Sequence, residues 1–333
     1  MGFDHRTATV AANLACVPRS APFGVLAVAI ASVLFAVNGT VAKLAMQAGL
    51  SPTRLVELRS VGSAVVLVTV ALLTIRRQMR LRANEIFVMA VLGIVGMALV
   101  QWFYLVAISR LPVGLALLIE YTAPLLVALW ARFVLGEQVR ARVWWALAAC
   151  LVGLTLVAQV RRGIELDAIG LAAAGGAALS LATYYLLGER LVAQRDPLST
   201  QAWSLAFAGA FWLVVQPLWT FQPGLLADDV ALPGALAGST APLWALVAWV
   251  IVLGTVVPYT LVLGGLKVIG AARAGLIGMI EPVVASAAAW AVLGEAMTAV
   301  QLVGGVVVLG GVGLAETARR SPRTATLPET IAA

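Results

Sequence analysis

The chain has 333 residues, 62% hydrophobic and 11% charged, with a net charge of +7. A soluble domain averages about 25% charged residues, so this chain has too little polar surface to cover a globule in water, and its solvent is read as a lipid bilayer. One histidine (His5) and two distant cysteines (Cys16 and Cys150) give no disulfide framework, no metal-ligand spacing and no His-dependent catalysis; the sequence calls for no cofactor, and its arginines form no basic–aromatic patch for nucleic acid.

Residues 1–21, with Asp4, His5 and Arg6, read as a cytoplasmic tail. The apolar run from residue 21 continues too far to be the core of a cleaved signal peptide. Ten apolar helices are predicted near 22–46, 52–75, 85–108, 112–134, 142–160, 168–190, 198–220, 242–265, 270–293 and 297–316. Each is about 20 residues long, enough to span about 30 Å of hydrocarbon. Connections are short except 221–241, a loop rich in Pro and Gly. Residues 317–333 read as a second cytoplasmic tail. Orientation rests on basic residues. Arg76, Arg77, Arg80 and Arg82, then Arg140 and Arg142, then Arg190 and Arg195 share a side with both tails, against Arg54, Arg110, Arg161 and Arg162 on the other. The side richer in Lys and Arg is expected to be cytoplasmic. The chain is therefore expected in the plasma membrane, with both termini inside.

The sequence repeats at an offset of 158 positions. Val134-Leu135-Gly136-Glu137 recurs as Val292-Leu293-Gly294-Glu295, and a proline stands ten residues before each valine, at Pro124 and Pro282. Upstream, Ser51-Pro52 pairs with Asp196-Pro197. Residues 22–160 and 168–316 thus read as two five-helix repeats. Five is odd, so the second half must insert upside down. That is the inverted-repeat architecture of many secondary transporters, which bind substrate near mid-membrane between the halves. The expected fold class is an all-α integral membrane protein with ten helices around a central cavity.

Glu120 lies at mid-span, where a carboxylate costs about 2.5–3.5 kcal/mol on insertion scales. It is therefore expected to face a cavity, as a proton-coupling or substrate-amine site. Pro124 has no N–H to give to the Glu120 carbonyl, which predicts a broken helix beside the carboxylate. Glu281 precedes Pro282, and the repeat aligns it with Ala123, one turn from Glu120. Lys43 is read either as an offset to these acids or a contact for an anionic group, or else as a cation snorkelling to the interface. Arg59 and Glu57 are placed near the outer end of span two, where Arg54–Glu57 is an i,i+3 pair, and a structural ion pair is favoured there over a site. Gln101, Trp102 and Tyr104 in span three, Ser180, Thr183, Tyr184 and Tyr185 in span six, and Pro258, Tyr259 and Thr260 in span eight are candidates to line the cavity, Pro258 as a third helix break. Glu137 and Glu295 read as turn-forming. Spans five and ten offer a face to a second copy of the chain.

IEYTAPLLVAL (119–129) and IEPVVASAAAWAVLGE (280–295) resemble the EamA-type drug/metabolite transporter superfamily, and within it the threonine/homoserine exporter type. The resemblance implies two five-helix halves around a cavity and export of small metabolites such as amino acids. Where that family carries an aromatic-Gly pair in helix one, this chain has Asn38-Gly39, and Asn38 joins the candidates. The phosphate-cradling G-x-x-x-x-G-K-[ST] is absent, so ATP is not the direct energy source. The expected function is secondary export by alternating access, with proton antiport as the simplest coupling. A facilitator or channel for small solutes remains the alternative. A membrane-embedded transferase lacks the His/Asp or paired-acid cluster it would need.

Overall fold

The computed structural model describes residues 21–111, 113–158, 167–232, 237–293 and 298–317. Both tails, Arg161, Arg162 and Glu295 lie outside these. The structure is helical. In chain order it comprises α1 (Ala21–Gln47), α2 (Pro52–Thr74), α3 (Ala83–Arg110) and α4 in two segments (Val113–Glu120 and Ala123–Phe133). There follow α5 (Ala141–Ala158), α6 (Ala168–Val192), α7 (Pro197–Val215) and α8 (Leu243–Ile269). Last come α9 in two segments (Ala271–Gly278 and Glu281–Leu293) and α10 (Ala299–Thr317). Among the described residues eight helices, α1 to α8, are long and apolar enough to cross a membrane.

Helix starts follow from local chemistry. Ser51 caps α2, its side chain accepting from the Arg54 N–H, with Pro52 in the first turn. Asp196 caps α7, accepting from Leu198 and Ser199, again with a proline next. A proline costs nothing there, because the first-turn N–H groups have no intrahelical partner. Asp167 caps α6, and Arg110 at the end of α3 pairs with it at 3.2 Å. The Gly170 N–H first, then Arg110, hold the Asp167 carboxyl below the usual carboxylate range. At the end of α4, Gly136 turns left-handed (φ 68°) and the Glu137 N–H returns to the Ala131 carbonyl at 2.9 Å, closing the helix.

Two features depart from the sequence expectations. The seventh helix ends at Val215, not near 220. The 221–241 loop also has structure of its own: a 3₁₀ turn at Pro223–Ala227, then strands β1 (Asp229–Ala231) and β2 (Thr240–Pro242), antiparallel with Val230 opposite Ala241. Strands of three residues are too short to show an alternating pattern in sequence.

The helices pack in four main pairs: α1 with α8, α2 with α7, α3 with α6, and α5 with α10. Small residues let backbones approach. Gly153 on α5 lies so near α10 that a Cβ there would stand 2.7 Å from the Gly304 carbonyl, and a Cβ on Gly304 the same distance from the Gly153 carbonyl. In lipid, where apolar side chains gain little by meeting each other, such close contacts hold helices together. The outward faces are apolar, with Leu73, Phe87, Phe133 and Val214 more than three-quarters exposed.

The start of α2 carries a buried ion pair between Arg54 and Glu57. Arg54 also donates to Thr220 Oγ1 at 2.7 Å and lies over the Phe221 ring, pinning the start of the α7–α8 connection. Removing one partner of a buried pair strands a charge. Glu57→Ala is therefore expected to cost about 3–5 kcal/mol. Thermal unfolding in detergent checks this, and Arg54→Met combined with Glu57→Ala should recover part of the loss.

Candidate functional site

Two kinds of irregularity frame the centre of the molecule. Helices α4 and α9 are interrupted at Tyr121–Thr122 and Met279–Ile280, each just ahead of a proline. Helices α3 and α8 each contain a π turn, Ile94–Leu99 and Val252–Val256. The two breaks, and the starts of the two π turns, are 158 positions apart (279 − 121 and 252 − 94), the offset of the sequence repeat. At the α4 break the Ile119 carbonyl accepts from both the Thr122 N–H (3.0 Å) and its hydroxyl (2.7 Å), so the chain turns without stranding that group. The α9 break packs on α4 and α6: a Cβ on Gly275 would stand 3.2 Å from the Pro124 ring of α4, and one on Gly278 3.0 Å from Tyr185 Oη of α6.

A cavity of about 70 Å³ opens between these elements. It brings together Glu120, Glu281, Asn38, Gln101, Tyr104, Tyr184 and Tyr259, all singled out by sequence and drawn from several different spans. Glu120 ends the first segment of α4 and is nine-tenths buried. Glu281 begins the second segment of α9 and accepts from Tyr121 Oη at 2.5 Å. That bond ties the break of α4 to the break of α9. The phenols form one cluster. Tyr184 Oη donates to the Tyr259 carbonyl at 3.2 Å, and the Tyr259 ring meets Phe35 and Tyr184 edge-on at 4.8 and 5.4 Å. Asn38 lies against Gly254 of the α8 π turn, where any Cβ would collide with it, and its Oδ1 has no donor among the described residues.

Three expectations need correction. Lys43 is not at the cavity; it is exposed on α1, one turn beyond Gly39. Depth along a helix does not fix which side a residue faces. Pro258 does not break α8; the helix continues, and the preceding π turn absorbs the misfit. Pro258 lacks the N–H that would serve the Gly254 carbonyl four residues back, and Arg59 Nη2 serves it instead at 3.1 Å. Arg59 itself is the third correction. It belongs to no ion pair among the described residues but lines the cavity, with Nε donating to Thr255 Oγ1 at 3.1 Å. Tyr185, also singled out by sequence, lines the cavity, and so does Tyr121, which is not among the sequence candidates. Tyr121 directly follows Glu120, and an aromatic hydroxyl next to an intramembrane acid is the signal that could have found it.

The EamA-like transporter family matches residues 22–159 and 168–317. The chain belongs to that family. It is a membrane transporter and not an enzyme. The threonine/homoserine exporter RhtA of Escherichia coli (strain K12) is 29% identical over 224 residues, 66% of this chain and 68% of that protein. An uncharacterized inner membrane transporter, YicL of Salmonella typhimurium (strain LT2), is 25% identical over 310 residues, 91% of this chain and 98% of that one. A solved crystal structure superposes with a TM-score of 0.69 at 19% identity, covering 89% of this chain and 96% of that one. At that identity the likeness is one of fold. Among the described residues no group of His, Cys, Asp or Glu side chains could hold a metal ion, so the EamA-like cavity offers carboxylates, phenols, amides and one guanidinium.

Proposed function

We propose that this EamA-like chain exports small amino-acid-like metabolites from the cytoplasm across the plasma membrane by alternating access. Residues 22–160 and 168–316 are its two halves, each of five spans, inserted with opposite orientation. The observation that carries the reading is the Tyr121–Glu281 bond at the meeting of the two broken helices, in a cavity that also holds Glu120. Irregular backbone and ionisable side chains at membrane depth mark substrate and ion pathways.

The packing supports paired halves. The first helix of each half meets the third of the other (α1 with α8, α6 with α3), while the second helices pair, as do the fifth. The likeness to RhtA, a threonine/homoserine exporter, supports amino acids as the substrate class. Glu120 and Glu281 serve substrate binding and proton coupling. The arginines near Arg76–Met79 and Arg195 mark the cytoplasmic side, with both tails there.

The test is efflux of a labelled panel (amino acids, amines and neutral solutes) from cells overproducing the protein. Saturable export of at least one amino acid is expected. A conductance in planar bilayers without saturable efflux replaces the transporter with a channel.

A further inference from the structure

We propose that Arg59 is the carboxylate-binding residue of the cavity, and that the transported class is therefore the zwitterion, carrying both a carboxylate and an ammonium group. This rests on the transporter reading above and sharpens it.

Arg59 is 4% exposed. Arginine is almost never fully buried unless paired, and a buried cation is stabilised by an anion with matched hydrogen bonds. Arg54 and Arg195, whose side chains are also withdrawn from solvent, obey this, Arg54 with Glu57 and Arg195 with Glu85. Arg59 has two uncharged acceptors instead, Thr255 Oγ1 and the Gly254 carbonyl. They occupy Nε and one N–H of Nη2. A guanidinium has five donors in a planar fork, so Nη1 and the rest of Nη2 stay available along one edge. That edge has the geometry of a bidentate carboxylate contact. The two bonds to α8 also fix the plane of the fork, so little freedom is lost when an anion docks.

The cavity carries charges of both signs. Arg59, Glu120 and Glu281 all line it, together with Tyr104 and Tyr259. Neither glutamate is ion-paired with Arg59. A solute with a carboxylate at Arg59 and an ammonium toward the glutamates satisfies both signs. A simple amine leaves the guanidinium buried without a counter-charge, and a simple acid leaves the glutamates so. A site built to bond a group penalises the analogue that lacks it.

The experiment uses purified full-length protein in proteoliposomes, measuring counterflow of labelled threonine against unlabelled threonine, homoserine and threoninamide. Threoninamide keeps the ammonium and loses the carboxylate. In the wild type, threonine and homoserine should inhibit at concentrations at least about tenfold lower than threoninamide. In Arg59→Gln that preference should fall below about threefold, and Arg59→Lys should retain part of it, since lysine keeps the charge but not the fork. Equal inhibition by threonine and threoninamide in the wild type, or an undiminished preference in Arg59→Gln, overturns the assignment. If Arg59→Gln does not fold, the wild-type comparison decides alone. Transport of amines or neutral solutes without zwitterions sinks the Arg59 assignment and spares the transporter; movement of no solute at all sinks both.

Discussion

Glu281→Gln is expected to lower amino-acid efflux at least about tenfold, and Glu120→Gln to flatten its dependence on the proton gradient. The first effect follows from placement. Glu281 opens a helical segment, where the positive end of the helix dipole favours a negative side chain, and the Tyr121 hydroxyl donates to it. It is a carboxyl group held in place by that bond, suited to meet an ammonium group. A glutamine amide there would keep the hydrogen bond from Tyr121 and the shape of the side chain, so the fold is retained and only the charge is lost. A charged hydrogen bond contributes about 1.5–3 kcal/mol, which corresponds to roughly one to two powers of ten in apparent affinity. Glu120 closes its segment and has no hydrogen bond from another side chain among the described residues. Nothing fixed holds its charge, which suits it to carry a proton between the two access states. Efflux at several external pH values, in cells matched for protein level, separates the two roles. If both substitutions leave rate and pH profile unchanged, the carboxylates have no part in transport.

Gly304→Leu is expected to disrupt the α5–α10 interface and cost about 3 kcal/mol or more, the upper range for overpacking. The atoms a side chain would meet are largely backbone, with the Gly153 carbonyl at 2.7 Å and the Val157 nitrogen at 2.9 Å. Backbone in a packed helix cannot step aside as a flexible side chain can. Further along the same helix, Gly310 has nothing within 4 Å of its Cβ position, so Gly310→Leu should leave the melting temperature unchanged. Thermal melts in one detergent compare the two directly. Equal behaviour of the pair would mean that α5 and α10 do not meet as described.

Much of the helical framework is legible in the sequence because the bilayer forces long apolar runs, and proline and capping residues punctuate them. Ser51-Pro52 and Asp196-Pro197 announce helix starts in plain chemistry. Orientation around each helix is less legible. A span packed among other spans in lipid need not show one polar stripe, so pattern alone does not sort Lys43 from Arg59. One faces out and the other in, the reverse of the emphasis that sequence gives them. The π turns are not marked by hydrophobic pattern; within them Gly96 and Gly254 lie against Tyr184 and Asn38 of the neighbouring helices. Pro258 is conspicuous in the sequence, but its consequence lies on another helix, in the guanidinium that takes up the carbonyl it leaves free.

Those π turns also set the rotational phase of the helix beyond them. A π turn spends one more residue per hydrogen-bonded loop than an α turn, and one residue is about 100° of helix rotation. Gln101 and Tyr104 lie just beyond the first, and Tyr259 just beyond the second. Without the surplus residue each would be swung by about that angle, away from the cavity and into its neighbours. The share of the polar lining that α3 and α8 supply is thus the product of the same miscount made twice, once in each half of the chain.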